Sequence, residues 1–188
     1  MRIGVYVGSF NPFHLGHINV INYVLCHNYL DKIIVIPTGS YWDKTDLIDI
    51  THRIKMVKMY KNEKVIVKDN LTNLSYTYQV IKALKKDYPN DELYLIIGDD
   101  NVPKFHLWKN YQEILKNKLI VLKRNNINIK ETIAYNYAPS SFIIINEWNS
   151  LDISSTKIRT LLQDENYLEA KKYLNNDVFN YIIENKLY

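Results

Sequence analysis

Cysteine is nearly absent: Cys26 is the single one in 188 residues. That excludes a disulfide within the chain and a metal cluster built on cysteines. Cys26 falls in an apolar stretch, where a lone thiol reads as a packing residue. Long hydrophobic runs are missing as well, and none approaches the ~20 residues needed to cross a bilayer. The first residues lack the charged, apolar and small-residue pattern of a secretory leader. Together these absences predict a reducing, cytoplasmic setting and no membrane partner.

A strong charge of either sign is also lacking. The formal net charge is +4, and Lys and Arg are spread along the chain rather than gathered in a stripe. This excess suits a ligand carrying phosphates better than a nucleic acid. Apolar residues make up 47% and charged residues 23%, an ordinary globular balance. No repeat or low-complexity linker divides the chain. A single domain over residues 1–188 is expected, with a helical part from about 155 to 188.

What is present is a regular alternation. Continuous apolar runs predict strands at 3–7, 32–37, 65–67, 93–97, 119–122 and 142–145. Helical spacing predicts helices at 18–28, 51–60, 75–87 and 111–115, then helical structure from 156 onward with Asp177 as a cap. Residues 125–137 read as helix then loop. Apolar strands alternating with helices predict an α/β fold: a Rossmann-like, doubly wound parallel sheet of about six strands with helices on both faces. Such sheets bind ligands beyond the C-terminal strand ends. Gly8-Ser9, Pro37-Thr38-Gly39, Gly98-Asp99-Asp100 and Trp148-Asn149 all fall there.

The chain is organised around Gly8-Ser9-Phe10-Asn11-Pro12-Phe13-His14-Leu15-Gly16-His17. The spacing is not that of the dinucleotide fingerprint, and the lysine of a Walker loop is absent. A helix start presents unpaired N–H groups and a partial positive charge, which attract phosphate. Gly8 and Gly16 would let a ligand approach the backbone. His14 and His17, three residues apart, share one face and can donate to phosphate oxygens. A metal pair is a poor fit, because no Cys or carboxylate stands near as a third ligand. Histidines filling a turn are the plain alternative to phosphate binding.

Ile153-Ser154-Ser155-Thr156-Lys157-Ile158-Arg159 reads as a second helix start. Its hydroxyls and N–H groups could hold phosphate, with Arg159 one turn in as a bidentate partner. A simple serine or threonine cap is the alternative.

The first stretch resembles the Gly-Ser/Thr-Phe-x-Pro-x-His-x-Gly-His signature of the nucleotidyltransferase superfamily, and the second resembles its Ile-Ser-Ser-Thr-x-Ile-Arg signature. Between them the chain is similar to bacterial-type nicotinate mononucleotide adenylyltransferases. Ile36-Pro37 with the loop ending in Lys44, His52-Arg53 with Met56, Ser75-Tyr76-Thr77, Ile96-Ile97-Gly98-Asp99-Asp100-Asn101 followed by Trp108, and residues 178–188 each match in order. The family usually has Asp where Asn11 stands and Pro-His where Trp42-Asp43 stand.

The resemblance implies transfer of AMP from ATP to nicotinate mononucleotide, giving nicotinate adenine dinucleotide and pyrophosphate for NAD biosynthesis. His14 and His17 would be catalytic, with His17 stabilising the transition state. Gly8, Ser9, Phe10, Gly98, Asp100, Ile153, Ser154, Ser155, Thr156 and Arg159 would bind ATP. Lys44, Thr77 and Trp108 would bind the acceptor, Thr77 through its backbone N–H and Trp108 by stacking on the pyridine ring. Asp99 reads as structural or solvated. Mg²⁺ would accompany ATP, held largely by phosphates and water, with no metal site in the protein. Homo-oligomer formation is left open. Rival readings are a nicotinamide mononucleotide or phosphopantetheine adenylyltransferase and, in another class, a non-catalytic nucleotide- or nucleic-acid-binding protein.

Overall fold

The computed structural model describes residues 1–39, 47–60 and 62–188. Six strands form one sheet: β1 (Arg2–Gly8), β2 (Lys32–Pro37), β3 (Val65–Val67), β4 (Glu92–Gly98), β5 (Lys118–Leu122) and β6 (Phe142–Ile145). Their order is β3-β2-β1-β4-β5-β6, and every neighbouring pair is parallel. This is the doubly wound order, and it reverses between β1 and β4.

Continuous apolar strands follow from burial on both faces. In β2, Ile33 and Val35 join one core and Ile34 and Ile36 the other. The first core is covered by α1 (Leu15–Cys26), α2 (Ile50–Lys58), α6 (Ser155–Gln163), α7 (Tyr167–Lys171) and α8 (Asn176–Glu184). The second is covered by α3 (Thr77–Asp87), α4 (Tyr111–Ile114) and α5 (Ile133–Tyr137). Among the described residues, no helix is long and apolar enough to cross a membrane.

The expected strands all form, with ends one residue longer in places. Helix starts shifted more. α1 begins at Leu15 rather than 18, because His14 serves as its N-cap, a role periodicity does not reveal. The cap of α8 is Asn175, which accepts from Asp177 N at 2.8 Å, so Asp177 lies inside the first turn. Between 125 and 137 the order is reversed: a 3₁₀ turn at Ile129–Glu131 precedes α5, which Thr132 caps. Cys26, expected to pack, ends α1 and is exposed.

In register, Gly8 lies opposite Pro37 and Gly98 opposite Leu122. The ends of β1, β2, β4 and β5 therefore meet along one edge, where the two halves of the sheet diverge.

Candidate active site

The loop leaving β1 is held from beneath. Arg53 on α2 is 2% exposed and surrounded by carbonyls. Its Nη1 donates to Ser9 O at 2.7 Å and Thr38 O at 2.5 Å, and its Nε donates to Ile48 O at 3.0 Å. Burial pushes its pKa down, and these oxygens replace the water it loses. One buried cation thus ties together the ends of β1 and β2 and the start of α2.

The left-handed turn of the loop falls on Phe10, at φ 47°, and not on a glycine. Its ring, 2% exposed, lies under the loop edge-on to Tyr6, Phe13 and His17. A Cβ on Gly8 would sit 3.0 Å from that ring, and one on Gly16 would sit 2.9 Å from the His14 ring. These glycines make room for side chains of the loop itself, a reason different from the ligand approach expected of them.

His14 and His17 form a capping box at the start of α1. Gly16 N donates to His14 Nδ1 at 3.1 Å, and His14 N donates to His17 Nδ1 at 3.2 Å. An Nδ1 that accepts an amide proton carries none of its own. Both rings therefore hold their proton on Nε2, on the side away from the backbone. The rings stack at 3.7 Å, and Phe13 stacks on His17 at 5.4 Å. Burial, assisted by the charge of Arg124, lowers the pKa of His14 to about 3. His14 is thus a neutral donor at physiological pH.

The N-terminus of α6 lies against this loop. Ser154 is a true cap, accepting from Lys157 N at 3.1 Å. Ser155 Oγ donates to Pro12 O at 3.2 Å. Arg159 reaches Asn11 O with Nη1 at 3.0 Å and Thr156 Oγ1 with Nη2 at 3.4 Å. The cap reading and the clustering of two loops are thus compatible: the capping hydroxyl orients a helix whose next residues bind the histidine loop.

A cavity of about 700 Å³ opens between these parts. Gly8, Ser9, Phe10, His14 and His17 border it from the β1 side. Ile153 to Thr156 and Arg159 border it from α6, and Gly98, Asp100 and Trp108 from the end of β4. A Cβ on Gly98 would collide with Asp100 Oδ1, so glycine there lets the carboxylate fold back over the strand end. Thr77 is not among the bordering residues; it is buried in the first turn of α3. Lys44 and Trp42 lie outside the described residues. A wider groove of about 900 Å³ runs between α1, the end of α2 and β3, but neither helix start nor glycine turn opens into it.

Two bordering residues with polar side chains, Tyr6 and Arg124, belong to no sequence motif. Tyr6 has its hydroxyl pushed up to about 12 by burial, so it stays protonated. Arg124 follows β5 and adds a cation facing His14 and Tyr6. Its position is braced on both sides. Asp99, fully buried, accepts from Asn125 N at 2.8 Å and Asn125 Nδ2 at 3.1 Å. Trp148 Nε1 donates to Lys123 O at 2.8 Å, and the Arg124 guanidinium lies 5.7 Å from the Trp148 ring centre. Asp99 is therefore structural. The order of strands, which sets β5 beside β4, is the signal that would have pointed to Arg124.

Among the described residues no three His, Cys, Asp or Glu side chains converge as a metal site. Asp100 is the one carboxylate among the described residues bordering the cavity. This donor set suits a divalent ion that arrives on a polyphosphate.

A cytidylyltransferase-like family model matches residues 5–161. A protein of Flavobacterium johnsoniae named "Probable nicotinate-nucleotide adenylyltransferase" is 31% identical over 195 residues, covering 100% of this chain and 99% of its own length. Its namesake in Acholeplasma laidlawii is 34% identical, covering 98% of this chain and 96% of its own length. The solved structure of Plasmodium falciparum nicotinic acid mononucleotide adenylyltransferase complexed with NaAD superimposes with a TM-score of 0.83 at 27% identity, covering 100% of this chain and 97% of that one. The same enzyme complexed with APC gives a TM-score of 0.81 at 26% identity, over 100% of this chain and 96% of that one. With a family model across most of its length and relatives above 30% identity over nearly their whole extent, the chain belongs to the nicotinate-nucleotide adenylyltransferase family.

Proposed function

We propose that this chain transfers AMP from ATP to nicotinate mononucleotide. An oxygen of the mononucleotide phosphate attacks the α-phosphorus of ATP. The bond from that phosphorus to the β-bridging oxygen breaks, and pyrophosphate leaves with the electron pair. The nucleophile is already an anion, so no general base is required. Rate enhancement then comes from alignment and from fixed donors around the charge that develops.

The single observation that carries this reading is the shared tautomer of His14 and His17. Each gives Nδ1 to a backbone amide and holds its proton on Nε2, and both residues border the cavity. Donors set this way need no reorganisation when charge builds up on a phosphate. Arg159 and the N–H groups of α6 would take the leaving pyrophosphate, and Ser155 and Thr156 would shape that end. Gly8, Ser9 and Phe10 would line the triphosphate, and Gly98 with Asp100 would meet the adenosine. Trp108 would stack on the pyridine ring. Thr77 is the first residue of α3, and its N–H has no partner within the helix, as recognition of the nicotinate carboxylate would use. Lys44 would add charge on the acceptor side. Arg124, braced at the cavity wall, would do so as well. Mg²⁺, bound to the ATP phosphates and water, would neutralise charge on the leaving group. A single domain in a cytoplasmic setting completes the reading.

The test is product formation from ATP with nicotinate mononucleotide, nicotinamide mononucleotide and phosphopantetheine in parallel. Nicotinate mononucleotide should give the highest kcat/KM, with one pyrophosphate released per dinucleotide. Preference for either other acceptor, or no pyrophosphate with any, would overturn the reading.

A further inference from the structure

Asn11 is buried, 1% exposed, and lies at the meeting point of three distant segments. Its backbone carbonyl accepts from Arg159 Nη1 at 3.0 Å. Its side-chain oxygen accepts from Ile48 N at 3.4 Å and from the Tyr188 hydroxyl at 2.8 Å. Ile48 is also the residue whose carbonyl takes the Arg53 Nε proton. Tyr188 follows α8 and is 177 residues from Asn11 in sequence. Its hydroxyl lies in the field of both Arg159 and Arg53, and burial outweighs those charges and holds it protonated. The only proton it can offer goes to Asn11.

From this geometry we infer that Tyr188 is a positioning residue for the ATP site, acting through Asn11. Its hydroxyl fixes the rotation of the Asn11 side chain. A side chain anchored this way restrains the Asn11 backbone too, and with it the carbonyl that receives Arg159 and the point where Ile48 joins the histidine loop. Tyr188 does not border the cavity. Its effect should therefore reach ATP, the ligand assigned to Arg159, and leave the acceptor alone. This inference rests on the proposed division of the site between ATP and acceptor.

The experiment uses Tyr188→Phe, which removes one oxygen and keeps the ring. The KM of each substrate and the Kd of a non-hydrolysable ATP analogue are measured alongside thermal unfolding. Loss of one neutral hydrogen bond predicts about a fivefold rise in the KM and Kd for ATP. The KM for nicotinate mononucleotide should stay within twofold. Combined with Asn11→Ala, Tyr188→Phe should add less than twofold, because the partner it acts through is gone. Equal rises for both substrates, unchanged ATP binding, or an additive double variant would each overturn the inference. Were Tyr188→Phe to lose its cooperative melt, Asn11→Ala alone would decide instead. A roughly fivefold rise in the KM and Kd for ATP with the KM for nicotinate mononucleotide within twofold supports the inference, and unchanged ATP binding overturns it. Wild-type protein that fails to bind the analogue would count against the functional reading itself, a distinct result.

Discussion

His14 and His17 lie face to face at 3.7 Å, and the amide of the first donates to the ring of the second. With the Gly16 amide that donates to His14, this contact gives each imidazole a structural Nδ1 edge and leaves Nε2 for the proposed chemistry. Asparagine can imitate the structural edge alone, since its Oδ1 falls near the position of Nδ1. His17→Asn should therefore melt within about 3 °C of wild type yet lose at least ~100-fold in kcat, the scale of removing one preorganised donor. Circular dichroism melts with initial rates check both halves. Near-normal turnover would remove His17 from the chemistry.

Acid should weaken the fold through His14. Its ordinary pKa of 6.5 is lowered to about 3 in the fold. The unfolded chain thus takes up a proton below pH 6.5 that the folded chain refuses. The stabilisation is complete above that pH and is lost as pH falls from 6.5 toward 3. At pH 4 the loss from this residue is on the order of 3 kcal/mol. Urea midpoints across pH 7.5 to 4 should fall more steeply in wild type than in His14→Asn, which has no ring to protonate. Parallel curves would contradict the buried neutral ring.

Arg159 and Arg124 flank the cavity from different elements, so their losses should separate. Arg159→Ala should raise the KM for ATP at least tenfold and that for the mononucleotide far less, as expected for a hydrogen bond to a charged group. Arg124→Ala should also lower kcat/KM about tenfold. It should in addition raise the pKa of His14, because a cation facing that ring is removed. NMR titration of the His14 ring reads the second effect. An unchanged titration would place Arg124 away from it.

Arg53 is a stability residue. Arg53→Met fills similar space but leaves the carbonyls of Ser9, Thr38 and Ile48 without their donor. A destabilisation of about 3 kcal/mol is expected, or roughly 10 °C in Tm for a chain of this size. A melt within 2 °C of wild type would show that water reaches those oxygens.

The sheet was legible in sequence because its central strands are buried on both faces. Runs such as Ile33 to Ile36 have no polar alternation to mislead a reader. The two loops proposed to hold phosphate were legible because glycine, hydroxyl and histidine cluster in short segments. Helix starts were less so: histidine is an uncommon cap, and the apolar pattern of α1 begins only after its first turn. Arg124 was hidden because nothing beside it in sequence marks it. Its place depends on β5 lying next to β4 and on the buried Asp99, which read equally well as solvated. The partner of Asn11 was hidden for a simpler reason, since a single hydrogen bond between residues 177 apart leaves no local pattern.

That separation bears on when the protein becomes active. Ser155 binds a carbonyl 143 residues away, and Arg159 one 148 residues away. Loops of this length close late, after the local helices and neighbouring strands have formed. A chain still emerging from synthesis would own its histidine loop but lack the arm proposed to hold the leaving pyrophosphate. Nucleotide binding then becomes a property of the finished molecule, and refolded protein should regain its aromatic fluorescence before it regains affinity for ATP.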